Sequence, residues 1–239
     1  MNLNNQRIVV LGGTSGLGLA VAQAAVVEGA AVVVGSSSQA RVDAALALLG
    51  KTAEGRAVDL SDPSATRAFF ERTGPFDHLV YTAGESLQLL GLDADLAAMR
   101  RFFELRYWGA LAAAQSARAS IRAGGSIVFT SGTASARPLG PGWAAASSIC
   151  SAMEGLTRAL AVELKPLRVN CVAPGVVKTP LWSGMSDADR EAFYASEAAR
   201  LPVGHAGEPE EIAEAYLYLM RQTYVTGQVV YADGGALLA

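Results

Sequence analysis

The 239-residue sequence predicts one α/β domain, residues 1–239, with a doubly wound parallel sheet of about seven strands and helices on both faces. Short β-branched runs alternate along the chain with Ala-rich stretches of helical length. The strand-like runs are continuously apolar, which is typical of parallel strands covered on both faces. The length fits one domain, and no change in composition marks a linker. Such alternation also implies right-handed crossovers between parallel strands.

The predicted elements follow one another in regular order. The strands are Ile8–Leu11, Ala31–Val34, Gly55–Val58, His78–Tyr81, Ser126–Thr130, Arg168–Val172 and Val229–Tyr231. The helices are Leu17–Glu28, Gln39–Leu49, Pro63–Glu71, Asp95–Ile121, Ala145–Lys165 and Glu208–Arg221. Asp62 before Pro63 marks one helix start, because Asp caps free N–H groups and Pro fits the first helical position. The segment Pro180–His205 lacks a strand and carries a helical stretch, Asp187–Arg200, so we expect a lid over a substrate site.

The composition narrows the class of function. Lys and Arg total 19 and Asp and Glu total 22, a net charge of −3, so neither nucleic acid nor a membrane is an expected partner. Residues Met1–Arg7 lack a signal-peptide pattern. The two cysteines, Cys150 and Cys171, have neither metal-ligand spacing nor the pattern of a disulfide framework. We therefore expect a cytoplasmic protein without a metal site.

A glycine-rich loop follows the first strand and opens the first helix. It contains Gly12, Gly13, Thr14, Ser15, Gly16, Leu17 and Gly18. Gly12 permits the tight turn, Gly16 lets the backbone approach a pyrophosphate, and Gly18 lets the helix pack closely on the strand. The helix N-terminus offers free N–H groups and a positive dipole end to the anion. The loop therefore predicts a Rossmann-type dinucleotide site, with a glycine turn that binds nothing as the alternative.

The end of the second strand decides which dinucleotide is expected. NAD-binding folds place an acidic residue there for the ribose hydroxyls, but no carboxylate lies between Gly29 and Arg41. The hydroxyls of Ser36, Ser37 and Ser38, with Arg41 one helical turn on, would hold a 2′-phosphate that an Asp would repel. We therefore expect NADP(H) rather than NAD(H). The alternative is that the serines only cap the next helix.

The stretch from Pro138 to Leu160 resembles the active-site helix of the short-chain dehydrogenase/reductase family, most closely at Gly155-Leu156-Thr157-Arg158. The resemblance extends over nearly the whole chain. Further matching segments are Asp59-Leu60, Ala83-Gly84, Arg168-Val169-Asn170, Pro174–Pro180, Gly207–Ala213, Val225–Gln228 and Asp233–Gly235. The resemblance implies that Asp59 and Leu60 contact adenine. It also implies cofactor contacts at Ala83, Gly84, Pro174, Gly175, Val177 and Thr179.

The departures from the family pattern cluster at its catalytic positions. Aligned on Gly155–Arg158, the family's Tyr and Lys fall at Ala146 and Cys150. The family's Asn, three residues before a Gly, falls at Arg106. Its Ser corresponds to Thr133 by spacing from the Tyr position, or to Ser131 by position at the strand end. The Asn-Asn pair before Ala83-Gly84 is replaced as well, by Tyr81 and Thr82.

These replacements leave three hypotheses for function. Ala146 has no proton to give, and losing a positioned acid typically lowers a rate by about 10²–10⁴. We expect a divergent NADP(H)-dependent oxidoreductase of an apolar carbonyl or alcohol, with Arg106, Ser131 or Thr133 in catalytic roles. The alternatives are a catalytically inactive NADP(H)-binding sensor and a non-redox isomerase, dehydratase or cyclase.

Several other side chains are further candidates. Glu85, Tyr81 and Tyr107 could supply a proton, and His205 at the end of the predicted lid could reach the site. Cys150 is a possible nucleophile. Arg106 has a structural alternative, an ion pair with Glu85 or Glu104. Trp143 and Trp182 are expected to wall an apolar substrate pocket, although generic packing is the alternative.

The resemblance also implies an assembly. The family pairs its long fourth and fifth helices between subunits, and the Ala-rich stretches Gly109–Ala119 and Met153–Val162 are compatible with that pairing. A homotetramer or homodimer is therefore expected.

Overall fold

The computed structural model describes residues 2–85 and 91–239, so Met1 and residues 86–90 of the predicted domain lie outside the described residues. Seven strands form one parallel sheet in the order β3-β2-β1-β4-β5-β6-β7. They are β1 (Arg7–Leu11), β2 (Ala31–Ser36), β3 (Ala53–Ala57), β4 (Phe76–Tyr81), β5 (Ile121–Thr130), β6 (Arg168–Pro174) and β7 (Val229–Ala232). The predicted Rossmann-type doubly wound sheet is confirmed.

Helices cover both faces of this sheet. They are α1 (Gly16–Val27), α2 (Gln39–Leu49), α3 (Pro63–Thr73), α4 (Leu96–Phe103), α5 (Gly109–Ala117), α6 (Ala144–Glu163), α7 (Asp187–Arg200) and α8 (Pro209–Arg221). Alternate residues of β1 point to opposite sides. Val9 packs in a core with α3, α5 and α6, and Val10 packs in a second core with α1, α2 and α8. As predicted, Asp62 caps α3 by accepting a hydrogen bond from the Ser64 N–H at 2.8 Å.

Strand β3 is the exception to the prediction of continuously apolar strands. Its sequence carries Glu54 and Arg56, and Glu54 forms a 3.1 Å ion pair with Arg7. The reason is its place at the edge of the sheet, where one side of the strand has no neighbour and charged side chains reach solvent.

The single helix predicted from Asp95 to Ile121 is wrong in two respects. A π-helical turn, Glu104–Trp108, separates α4 from α5, and Ile121 already begins β5. A π-turn leaves a carbonyl group without its usual helical partner, and here the Tyr81 hydroxyl donates to the Leu105 carbonyl at 2.5 Å. Gly109 makes room for this contact, since a Cβ there would lie 2.5 Å from the Tyr81 hydroxyl oxygen.

The segment predicted as a lid packs against the body of the domain. It contains a 3₁₀ turn, Pro180–Trp182, followed by α7. Trp182 and Tyr194 are buried in a small apolar cluster of their own with Val176 and Ala206. The role of this segment as a lid stays a prediction. No helix in the described ranges is long and apolar enough to cross a membrane.

Candidate active site

A cleft of about 820 Å³ opens at the carboxyl ends of the strands, where the strand order reverses between β1 and β4. Open α/β sheets bind ligands at such a switch point. Nearly all the predicted cofactor residues line this cleft: Gly12, Thr14, Ser15, Gly16, Leu17, Gly18, Ser36, Ser37, Asp59, Leu60, Ala83, Gly84, Pro174, Gly175, Val177 and Thr179. Ser38 instead caps α2, its Oγ accepting a 3.5 Å hydrogen bond from the Arg41 N–H.

The glycine loop forms a tight turn at one end of the cleft. Gly12 has φ +87° and donates its N–H to the Gly35 carbonyl at 2.8 Å. A Cβ at Gly18 would collide with the Gly12 carbonyl and with the Thr82 hydroxyl, so only glycine lets α1 start this close to β1. Ser15 precedes α1 without a side-chain cap, which leaves the helix N-terminus open to an anion. The loop has the shape that a pyrophosphate requires.

The side of the cleft next to β2 carries a positive charge. Arg41 lines the cleft, and its Nη2 donates to Ser37 Oγ at 2.7 Å. Asp59, which follows β3 and also lines the cleft, accepts hydrogen bonds from the Ser61 hydroxyl at 2.6 Å and from the Ser61 N–H at 2.9 Å. These two hydrogen bonds lower the pKa of Asp59. A guanidinium held by Ser37 at this position suits a phosphate on the ribose.

The other end of the cleft brings together the residues that the resemblance places at the family's catalytic positions. Ala146 is buried and Cys150 is half-buried on α6, and both line the cleft. Ser131 and Thr133, which follow β5, line it as well, and so does Arg106 from the π-turn. These five residues therefore surround one space.

Arg106 is fixed by three contacts. Its Nη2 donates to the Glu85 carbonyl at 2.5 Å, and its Cζ lies 4.8 Å from the centroid of the Phe102 ring. Its guanidinium also lies against Gly84, where a Cβ would stand 2.6 Å from Nη1. The Nε is buried without a hydrogen-bond partner in the described part of the chain. The cation contacts the main chain of Glu85 rather than a carboxylate, so the contacts described here differ from the ion pair considered as an alternative.

Arg106 and Cys150 also influence each other electrostatically. Burial raises the pKa of the Cys150 thiol to about 11, and the charge of Arg106 opposes this only in part. The thiol is therefore protonated near neutral pH, which disfavours the nucleophile hypothesis. Burial lowers the pKa of Arg106, whereas Cys150, Glu85 and Tyr81 raise it.

The tyrosine and histidine candidates Tyr81, Tyr107 and His205 each contact another group of the protein. Burial raises the pKa of Tyr81, and its hydroxyl is committed to the Leu105 carbonyl, so Tyr81 is poorly placed to donate protons. Tyr107 packs edge-on against Trp108. His205 is exposed and lies 3.0 Å from Glu211, whose hydrogen bond raises the histidine pKa. No group of His, Cys, Asp or Glu among the described residues could hold a metal ion.

Two tryptophans form part of the cleft wall. Trp143 precedes α6, and Trp182 donates its Nε1 proton to the Val177 carbonyl at 2.9 Å. Leu139, Ile149 and Leu181 add apolar surface beside them. This wall fits a substrate with an apolar body.

The sequence analysis missed a carboxyl group behind Ser131. Glu154 is only 9% exposed, and its Oε1 lies 3.2 Å from both Ser131 Oγ and the Tyr231 hydroxyl oxygen. The signal was present in the helix periodicity, because Glu154 follows Ala146 and Cys150 at intervals of four residues on one face of α6.

Comparisons with known proteins show the family to which this fold belongs. A family model described as enoyl-(acyl carrier protein) reductase matches residues 12–236. The short-chain dehydrogenase/reductase fsr5 of Gibberella fujikuroi is 34% identical over 255 residues, which cover 99% of this chain and 96% of the relative. A solved small-chain dehydrogenase in complex with NADPH superposes with a TM-score of 0.85 at 35% identity, covering 99% of this chain and 100% of that one. The MalC reductase/Diels-Alderase of Malbranchea aurantiaca superposes with a TM-score of 0.92 at 29% identity, covering 99% and 98%. This chain belongs to the short-chain dehydrogenase/reductase family of oxidoreductases.

Proposed function

We propose that this protein is an NADP(H)-dependent oxidoreductase that interconverts an apolar carbonyl compound and its alcohol through a rearranged proton-transfer site. The observation that carries the proposal is the continuity of one cleft. It joins a loop shaped for a pyrophosphate to an apolar pocket in which Arg106, Ser131 and Thr133 replace the family's usual catalytic set.

Three features support the choice of cofactor. The glycines at 12 and 18 let the loop pack tightly against Ala83 and Thr82 and leave the N-terminus of α1 without a side-chain cap. Arg41 stands beside Ser37 at the ribose end, and a relative of similar structure was solved with NADPH. Such a dinucleotide supplies a hydride when bound. The chain would hold its phosphates with the loop N–H groups and its nicotinamide end with Pro174, Gly175, Val177 and Thr179.

The protein side chains would handle the substrate oxygen. The hydroxyl of Ser131 or Thr133 would donate a hydrogen bond to it, and Arg106 would stabilise negative charge that develops there. Trp143 and Trp182 would hold the apolar body of the substrate and exclude water.

The test is a panel of aldehydes, ketones and quinones, isatin and camphorquinone among them, incubated with NADPH or NADH. We expect one NADPH to be oxidised for each alcohol molecule formed. When the cofactor carries deuterium at the transferred position of the nicotinamide ring, we expect that deuterium in the alcohol product. Ser131→Ala and Thr133→Val then decide which hydroxyl serves the reaction. If NADPH bound saturably but no substrate were turned over faster than in the absence of enzyme, the proposal would be wrong. That result would favour the catalytically inactive NADP(H)-binding sensor.

A non-redox reaction is the second candidate. The relative MalC is a reductase/Diels-Alderase, so this scaffold supports a cycloaddition in a protein of similar structure. Product formation that leaves the amount of NADPH unchanged would identify this second function.

The proposal includes a cytoplasmic homodimer or homotetramer. Trp108 and Val162, at 53% and 70% exposure, lie beside or on the helices that the family pairs between subunits, and such an assembly would cover them. Light scattering of the purified protein measures whether it is a homodimer or homotetramer.

A further inference from the structure

Behind the cleft, three side chains form a continuous chain of proton-exchanging groups. Ser131 lines the cleft, whereas Glu154 and Tyr231 lie outside its described lining. The Oε1 atom of Glu154 is 3.2 Å from Ser131 Oγ on one side and 3.2 Å from the Tyr231 hydroxyl on the other. Tyr231 is 37% exposed, so the chain runs from the cleft through a buried carboxyl to solvent.

We propose that Glu154 relays protons between Tyr231 and Ser131 and so replaces the proton supply that Ala146 and Cys150 cannot give. This inference rests on the proposed reductase function. Glu154 acts through Ser131 and is therefore a positioning residue, whereas Ser131 would touch the substrate.

The chemistry of the three groups fits this order. A serine hydroxyl that gives its proton to a substrate oxygen must regain one at once, because the serine alkoxide left behind is strongly basic and therefore unfavourable. A carboxyl group can both take up and release a proton, which an amide of the same shape cannot. The Ser131 hydroxyl also reaches the Cys150 carbonyl at 3.0 Å, which holds it at the cleft wall while Glu154 stands behind it.

During reduction, the carbonyl carbon gains a hydride, the carbonyl π bond breaks, and the oxygen takes the Ser131 proton. Glu154 accepts a proton from the Tyr231 hydroxyl and passes one to Ser131, so Glu154 ends the turnover as it began, and solvent reprotonates Tyr231. In alcohol oxidation, each proton moves in the opposite direction.

The side chains around Glu154 are uncharged near neutral pH or are hydroxyl groups. Cys150 from α6 and Cys171 from β6 both feel its charge, and burial raises the pKa of each thiol, so neither carries charge near neutral pH. Across the rest of the described chain, no cation lies within ion-pair distance of Glu154; its two partners are the hydroxyls of Ser131 and Tyr231.

The first test compares the wild type with Glu154→Gln, using the panel carbonyl that the wild type reduces fastest. The amide oxygen can still accept from both hydroxyls, so we expect KM to stay nearly unchanged while kcat falls about 10²-fold. The matched control is Glu163→Gln, which changes an exposed carboxyl on the same helix and should leave kcat unchanged.

The second readout is the dependence of the rate on the deuterium fraction of the solvent. A relay moves several protons together, so the wild-type plot should curve, whereas that of Glu154→Gln should be straight. A purely structural Glu154 would leave the shape unchanged. Tyr231→Phe keeps the link between Ser131 and Glu154, and we expect about a tenfold loss of kcat; it also serves if Glu154→Gln fails to fold.

A third readout needs neither cofactor nor turnover. In urea unfolding of the free protein, Ser131→Ala and Glu154→Ala should be coupled by about tenfold in the unfolding equilibrium constant, because the two groups contact each other. Additive effects, or Glu154→Gln with wild-type kcat and a curved deuterium plot, would overturn the relay while leaving the reductase function intact. A wild type that reduces no carbonyl in the panel would overturn both.

Discussion

The guanidinium of Arg106 lies directly against the backbone of Gly84: a Cβ at residue 84 would stand 2.6 Å from Nη1 and 2.7 Å from Cζ. Residue 84 sits at the end of β4 beside the cleft, and Arg106 reaches it from the π-turn between α4 and α5. The glycine therefore sets how closely the cation approaches the reacting end of the cleft.

Gly84→Ala should displace Arg106 and slow the reaction. The added methyl group cannot share the space of the guanidinium, and a misplacement of about 1 Å in an active site can cost about 10²-fold in rate. We expect a loss of this order in kcat/KM, close to that of Arg106→Ala, and little further loss when both changes are combined. The measurement is steady-state carbonyl reduction by the three variants.

The matched control for this prediction is Gly155→Ala. Gly155 is a helical glycine with open space around its Cβ position, so alanine there should leave turnover unchanged and slightly stabilise α6. Full activity in Gly84→Ala would mean that the contact between Gly84 and Arg106 does not matter for the reaction.

Tyr81→Phe should weaken the π-turn that presents Arg106. It removes the 2.5 Å hydrogen bond to the Leu105 carbonyl, and a buried carbonyl left without a partner costs about 1–3 kcal/mol. We expect the free energy of unfolding in urea to fall by that amount and kcat to fall moderately. Tyr218→Phe, which changes a tyrosine 42% exposed on α8, is the control. Because burial raises the pKa of Tyr81, the dependence of kcat on pH should keep its shape; a lost ionisation would instead identify Tyr81 as a proton donor.

Local signals in the sequence were enough to predict the fold and the loop end of the cleft. Alternating strands and helices, and the spacing of Gly12, Gly16 and Gly18, are set by neighbouring residues. The helix α2 was predicted with its observed bounds, Gln39–Leu49, because Ser38 and Gly50 flank it. The coarse architecture follows from such short-range patterns.

The reacting end depends on contacts between residues far apart in the sequence. The π-turn is held by Tyr81, which lies 24 residues before Leu105, and the carboxyl of Glu154 meets Tyr231 across 77 residues. Helical periodicity could place Glu154 on the same face as Cys150, but it could not supply the partner from β7. The edge position of β3, which explains its charged residues, likewise follows only from the strand order.

The preference for NADP(H) should depend on Arg41. Its guanidinium stands 2.7 Å from Ser37 Oγ at the ribose end, and a charge-assisted hydrogen bond contributes about 1.5–3 kcal/mol. Arg41→Ala should therefore weaken NADPH binding by about 10–10²-fold and leave NADH binding nearly unchanged. Ser37→Asp should go further and favour NADH, because a carboxylate repels a 2′-phosphate. Calorimetric titration with both cofactors measures these shifts; equal losses for NADPH and NADH would contradict the role given to Arg41.

The stability of the protein should fall in mild acid because of His78. This imidazole is buried between Ser126 Oγ at 2.8 Å and Gln6 Oε1 at 2.6 Å, and burial, with a smaller effect of Arg168, lowers its pKa from 6.5 to about 4. The folded protein then binds fewer protons than the unfolded chain between these values, so this contribution is present above pH 6.5 and is lost toward pH 4. The loss is about 3 kcal/mol.

Urea unfolding near neutral pH and at about pH 4 measures this loss. His78→Gln should lower stability at neutral pH but show a pH dependence that is smaller by about 3 kcal/mol. Wild type and His78→Gln with the same acid loss would show that other groups account for it.

The family's Tyr and Lys should be restorable at positions 146 and 150 only if the charge of Arg106 is removed as well. Cys150→Lys places an ammonium beside Arg106, whose charge already acts on Cys150, and like charges in a partly buried site repel each other. We therefore expect Cys150→Lys to be destabilising alone and to be rescued by Arg106→Asn, with a coupling of about 0.5–3 kcal/mol between the two changes in urea unfolding. On that background, Ala146→Tyr should restore a proton donor and tighten NADPH binding, with a gain in carbonyl reduction of up to about 10²-fold. Additive effects of Cys150→Lys and Arg106→Asn would contradict this prediction, because two cations that compete for one place must be coupled.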